Sequence, residues 1–208
     1  MQFEGIVIRR TSYKQDAAMI TVLTEDKLRS FLAKGVLKIT SKNAPSVNLF
    51  TKSLFQTFNG KEGEWLRLGE IKASYPNIST SFEKLAVLDF ISEITNSLVN
   101  SSDCKEVYFF LEKTLESIND NFSPLTAALI YFAKVLKNTG YEINPELLNL
   151  NDSRKTKIIS YIFNVNIEKF NSVSFDKEEA KEMIFIITNY LNFQSQIEIK
   201  SLSLLSEI

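Results

Sequence analysis

Near Tyr75-Pro76-Asn77 the apolar residues of this chain change their period from two to about 3.6, so one kind of secondary structure cannot account for the whole length. Ahead of that point Ile6 and Ile8 alternate with Val7 and the charged Arg9, and Ala17 to Leu23 is an apolar, partly β-branched run. Leu28, Ser30, Leu32, Lys34 and Val36 share one face of a third strand, with Arg29, Phe31 and Ala33 on the other. Leu49 to Phe58 and Trp65 to Ile71 follow, with Leu66 and Leu68 on one face of the last strand and Trp65, Arg67 and Ile71 on the other. Between them Gly60-Lys61-Glu62-Gly63 reads as a hairpin tip, its glycines supplying positive φ. Five short, mostly turn-connected strands suit a small closed barrel such as the OB-fold, because closure removes exposed edges.

Beyond that point the pattern is helical. Thr80 and Glu83 have capping-box spacing ahead of Phe82, Leu85, Ala86, Phe90 and Ile94. Asp103 with Glu106 opens a second helix reaching about Ile118, and Ser123-Pro124 opens a third that ends before Gly140. Shorter helices are expected from Asp152 to Phe163, from Asp176 to Leu191 and from Ile199 to about Leu205. Phe82, Phe90, Phe109, Tyr131 and Phe132 fall at core or inter-helix positions. The expectation is an α+β chain: an N-terminal five-stranded OB-fold β-barrel over residues 1–76, then an all-α helical domain over 77–208.

Charge is sorted between the two parts. Residues 1–80 hold 12 Lys and Arg against 7 Asp and Glu, a net +5, whereas 81–208 hold 12 against 18, a net −6. The run from Lys27 to Lys61 includes Lys27, Arg29, Lys34, Lys38, Lys42, Lys52 and Lys61 and no acidic residue. A local positive field on a nearly neutral protein is the footprint of a polyanion ligand, because phosphate binding depends on local counterion release. The alternative is a solvated lysine-rich face.

The chain has no histidine and a single cysteine, Cys104, so neither the usual zinc sites nor a Ser-His-Asp or Cys-His pair can be assembled within it. Glu178, Glu179 and Glu182 cluster, but they follow Asp176 at a helix start, where Asp176 and Glu179 have the spacing of an N-cap and its capping-box partner. The segment Gly60 to Gly63 lacks the pattern of a nucleotide-cradling loop. No catalytic residue, metal, cofactor or small-molecule substrate is expected. The opening Met1 to Gly5 has no basic region leading into an apolar stretch, and Met183 to Ile187 is too short an apolar run to span a bilayer, so a cytoplasmic protein without membrane contact is expected.

Read in order, Gly5-Ile6-Val7-Ile8-Arg9, Leu23-Thr24, Ala33-Lys34-Gly35 with Lys38 and Ser41, Phe50, Gly60 to Gly63 and Glu70 resemble the bacterial recombination mediator family RecO. Phe132-Ala133-Lys134-Val135-Leu136, Gly140-Tyr141 with Pro145, and Ile199-Lys200-Ser201-Leu202 are similar to its central and C-terminal helices. Two stretches depart from the family. Where many members place zinc-binding cysteines, this chain has Asn144-Pro145-Glu146-Leu147-Leu148-Asn149, so Leu147, Leu148 and Leu150 are expected to pack where the metal would sit. Where the family often has glycine and a basic residue, this chain has Asp26-Lys27-Leu28-Arg29.

The resemblance implies a non-catalytic, nucleoid-associated protein that binds single- and double-stranded DNA and anneals complementary strands. With RecR it would help load RecA on DNA coated by single-strand-binding protein, whose acidic C-terminal tail it would bind. The residues leave a second reading open, an adaptor for partner proteins whose OB-fold touches DNA only weakly. DNA-binding candidates are Arg9, Arg10, Lys14, Arg29, Lys34, Lys38 and Lys42, with one of Arg9 and Arg10 facing the ligand. Tyr13 and Trp65 are candidates for stacking on bases, the alternative being ordinary packing. Arg154, Lys155 and Lys157, near Ile158, Ile159 and Ile162, are the densest basic group for the partner tail.

Overall fold

A computed structural model describes residues 1–61, 63–100, 102–141, 143 and 153–208. The segment 144–152, and with it the expected packing of Leu147, Leu148 and Leu150, lies outside the described residues. The described residues fall into two compact units, one of Met1–Tyr75 with Asn100–Tyr108, the other of Pro76–Val99 with Phe109–Ile208.

The first unit is built on five strands, β1 (Gln2–Tyr13), β2 (Ala17–Leu23), β3 (Leu28–Ala33), β4 (Lys52–Gly60) and β5 (Gly63–Ala73). They close a barrel in the order β1-β2-β3-β5-β4, antiparallel except for a parallel contact of Leu32 in β3 with Trp65 in β5. This is the five-stranded OB-type barrel that the alternating pattern predicts. Its core collects Val7, Ala18, Ile20, Val22, Phe31, Ala33, Phe55 and Leu66, with Val36 and Val47 added from the β3–β4 connection. Phe31 and Phe55 lie 5.1 Å apart by ring centroids, and Phe3 packs on both at 6.0 and 5.8 Å.

Two strand expectations need correction. β3 ends at Ala33, and a turn follows in which Gly35 takes φ +72°, so Lys34 and Val36 do not belong to a strand face. Val36 is buried because the connection folds back over the barrel. In β5 a bulge shifts the pairing between Gln56 and Thr57, so Leu66 points into the core while Leu68 is exposed.

The helical unit holds α1 (Phe82–Leu98), α3 (Pro124–Asn138), α4 (Ser153–Asn164), α5 (Lys177–Ser195), the short α6 (Leu202–Ser206) and, from Phe109 onward, α2 (Cys104–Asn119). Every residue of α3 from Leu125 to Leu136 is buried, as a helix apolar on all sides requires, and α1, α4 and α5 pack against it. Phe90 meets Phe132 edge to face at 5.2 Å, and Tyr131 shares a 2.8 Å hydrogen bond with Thr95. Phe82 and Phe109, expected in the core, are exposed instead, on the outer faces of α1 and α2.

The caps follow the expected logic with two changes. Ser123 caps α3 by accepting from the Thr126 N–H, ahead of Pro124. For α1 the cap is Ser81, accepting from the Lys84 N–H, because the Thr80 hydroxyl donates to the Asn77 carbonyl instead. Asp176 caps α5 through the Glu178 N–H, while Glu179 leaves the capping-box role for an ion pair with Arg154. Glu93 accepts from the Lys200 N–H, the Ser201 N–H and the Ser201 hydroxyl, and so holds the entry to α6, which begins three residues later than the expected Ile199.

Candidate nucleic-acid interface

The connection from β3 to β4 carries Lys34, Lys38 and Lys42, and polar contacts fix its course. It advances as successive turns, Lys38 N–H to the Gly35 carbonyl at 3.2 Å, Ser41 N–H to Lys38 at 3.0 Å and Ala44 N–H to Ser41 at 3.4 Å. Arg10 donates to Asn48 Oδ1 at 2.9 Å and to the Val36 carbonyl at 3.3 Å, tying both ends of the connection to β1. Asn43 accepts from the Gly69 N–H at 3.2 Å and donates to the Arg67 carbonyl at 3.4 Å, tying its middle to β5. Glycine at position 69 makes this seat possible, since a Cβ there would overlap Ser46 Oγ and Cβ. The lysines thus ride on a fixed support, which lowers the ordering cost of binding a ligand.

The charges do not stay as the sequence spaces them. Asp16, in the β1–β2 turn, meets Lys38 Nζ at 2.9 Å, and the Leu37 N–H donates to its carbonyl at 3.2 Å. The hydrogen bond from Lys38, reinforced by the charges of Lys38 and Lys34, holds the Asp16 carboxyl below the usual range. Asp26 pairs with Arg29 at 3.3 Å and Glu4 with Lys52 at 3.2 Å. The acid-free run therefore receives carboxylates from outside itself. Lys34 and Lys42 are exposed and make no ion pair among the described residues.

The remaining candidates separate by environment. Arg9 is exposed and stands in register with Thr21 and Ser30 across β1, β2 and β3, where the two hydroxyls lie 3.2 Å apart. Arg10, by contrast, is committed to the connection it anchors. Two positions along each strand, beyond the row of Arg10, Ile20 and Phe31, stands the cross-strand row of Thr11, Met19, Leu32 and Trp65. Trp65 is half-buried with its indole edge against Gly60, and Tyr13, at the end of β1, has the Lys14 ammonium 4.9 Å from its ring centroid. Lys14 itself occupies the turn with φ 55°. Arg29 is only 14% exposed, stacks over Phe3 at 4.6 Å and leaves its Nε buried without a partner.

On α4, Arg154 pairs with Glu179 and Lys155 with Glu182, both across to α5, while Lys157 is exposed. Ile158, Ile159 and Ile162 are buried. Cys104 is buried as well, and desolvation first, then the Asp103 charge, push its thiol up to about 11. No group of three or more potential metal ligands occurs among the described residues. None of their helices is long and apolar enough to cross a membrane.

Sequence reasoning missed the residues that position the lysines: Asp16, Arg10 in its anchoring role, Asn43, Ser46 and Gly69. Asn43-Ala44-Pro45 carries a turn signal, but nothing local says that Asn43 reaches β5.

Two family models match the chain in succession, the N-terminal part of recombination protein O over residues 1–75 and its C-terminal part over 79–146. Among similar curated proteins, the DNA repair protein RecO of Mesoplasma florum is 28% identical over 153 residues, which is 69% of this chain and 57% of the relative. That of Listeria welshimeri is 26% identical over 139 residues, 66% of this chain and 54% of the relative. That of Desulforudis audaxviator is 27% identical over 149 residues, 70% of this chain and 58% of the relative. The chain spans little more than half the length of the curated relatives it matches. With a closed OB-type barrel followed by helices and both family models matched in order, the chain belongs to the RecO family.

Proposed function

We propose that this chain is a non-catalytic DNA repair and recombination mediator that binds single- and double-stranded DNA, anneals complementary strands and, with RecR, helps load RecA on DNA coated by single-strand-binding protein. The observation that carries the reading is the pinned cationic connection on an OB barrel, with Lys34, Lys38 and Lys42 facing solvent. Such a surface neutralises phosphates on two strands at once, which removes their mutual repulsion and leaves the bases free to pair. Annealing of this kind needs no nucleotide turnover.

A strand-annealing assay with a donor and quencher on complementary oligonucleotides tests the reading. The protein should accelerate pairing without ATP, and the acceleration should fade as salt rises. An unaccelerated rate at low salt, with only weak DNA binding, would favour the protein-adaptor reading instead.

Under the same reading the helical unit receives the acidic, phenylalanine-ending tail of single-strand-binding protein at Arg154, Lys155 and Lys157. The tail's carboxylates would exchange with Glu179 and Glu182 for Arg154 and Lys155. Its aromatic end would need an apolar surface other than the buried Ile158, Ile159 and Ile162. Anisotropy with a tail peptide decides this: absence of binding at low salt removes the partner, and binding indifferent to Arg154→Glu with Lys157→Glu removes the site.

A further inference from the structure

The connection that carries the three lysines also carries Ile39, whose 104% relative exposure is the highest of any large apolar residue among those described. Ile39 and Thr40 are the central residues of the turn closed by the Ser41 N–H on the Lys38 carbonyl at 3.0 Å. Such positions favour Gly, Pro, Asn, Asp and Ser, which fit or brace the tight backbone, and a β-branched side chain does neither. Ile39 adds nothing to the barrel core either, where Val36 and Val47 are the residues this connection contributes.

The turn is held in place. Its first residue, Lys38, is bound to the Gly35 carbonyl by its N–H, and Leu37 is bound to the Asp16 carbonyl by its N–H. The fold therefore presents, on a braced turn, an apolar side chain that follows the exposed Lys38 directly and precedes the exposed Lys42 by three residues. An acidic peptide would satisfy the lysines but would need a pocket for its own apolar groups, and a protruding side chain offers none. A nucleic acid satisfies both features, its phosphates meeting the lysines while a base face or an opened base step meets the apolar tip.

We propose that Ile39 is a base-contacting wedge that packs on the bases of bound DNA while the flanking lysines hold its phosphates. The proposal rests on the DNA-binding reading given above and adds a contact to bases rather than to the backbone.

Binding of labelled single-stranded DNA to the full chain, measured across a salt series for the wild type, Ile39→Ser and Ile39→Phe, tests it. Ile39→Ser should weaken binding about tenfold at every salt concentration, with the log–log salt slope unchanged because no phosphate contact is lost. Ile39→Phe should restore or exceed wild-type affinity. On an abasic oligonucleotide the wild type and Ile39→Ser should bind alike. Equal affinity of wild type and Ile39→Ser for normal DNA, or the same loss on abasic DNA, overturns the wedge and leaves the DNA-binding reading standing. Absence of salt-dependent DNA binding by the wild type overturns both.

Discussion

Replacing Lys34, Lys38 and Lys42 together by alanine separates the proposed phosphate-binding surface from the fold, and the size of the effect follows from where the three side chains stand. Lys34 and Lys42 are exposed without an ion pair among the described residues, and Lys38 is 62% exposed with Asp16 as its carboxylate partner. A surface pair of that kind contributes roughly 0–1 kcal/mol, so the denaturation midpoint should hardly move. Each phosphate contact on a single strand adds about 0.7 to the slope of log affinity against log salt, so loss of three should lower the slope by roughly 2. Carried from about 1 M to about 0.1 M salt, that slope corresponds to a loss of affinity of roughly 100-fold. Fluorescence anisotropy across a salt series reads both numbers.

Asp16 supplies the opposing arm of that experiment. On the proposed reading its carboxylate competes with phosphate for Lys38, so Asp16→Asn should tighten binding in the same assay. A triple variant with wild-type slope and affinity would refute the reasoning and move the phosphate contacts to another surface.

Gly69→Ala should lower stability by about 1–3 kcal/mol, because the new methyl group meets Ser46 Oγ and displaces the connection from β5; a denaturant midpoint equal to wild type would show that the seat has room. Cys104, buried and with its thiol pushed up to about 11, should resist a disulfide reagent in the folded protein near neutral pH and react as one thiol per chain once guanidinium unfolds it. Asp89 is raised above its ordinary pKa by desolvation first and by the Glu93 charge second. Its contribution to stability is therefore complete below the unfolded pKa and is lost as pH rises through the folded one. Asp89→Asn should accordingly raise the melting temperature at neutral pH, and the gain should vanish below the carboxylate range.

The barrel was legible because strand patterning is a local property: β4 alternates from Lys52 to Thr57, β2 alternates from Ala18 to Val22, and β1 carries the apolar run Ile6-Val7-Ile8. Its irregularities were not, because each depends on a partner far along the chain. Lys34 and Val36 continue the period of β3 in the sequence, yet Gly35 turns the backbone away and Val36 is buried by a different route. Leu68 keeps the period of Leu66, yet a bulge against Gln56 and Thr57 sends it outward. Thr80 and Ser81 are both competent caps one residue apart, and the choice rests on Thr80 finding the Asn77 carbonyl. At the candidate site the cationic residue types were legible, but the residues that seat or mask them, Arg10, Asn43, Gly69 and Asp16, become visible only when the strands are closed.

The charge contrast between the two units is sharper than net charge implies, because cations differ in whether the fold already uses them. In the helical unit Lys84 donates to the Asn77 carbonyl and Asn121, and Lys134 and Lys137 both donate to the Phe163 carbonyl near the end of α4, where the helix dipole also favours them. Arg154 and Lys155 are paired across to α5. A phosphate would have to displace a structural bond from each of these. Lys34 and Lys42 hold no such bond among the described residues, and Lys38 yields only an exposed carboxylate pair. On the proposed reading, phosphates would therefore meet the least competition at the connection from β3 to β4, even though residues 81–208 carry as many basic residues, 12, as residues 1–80.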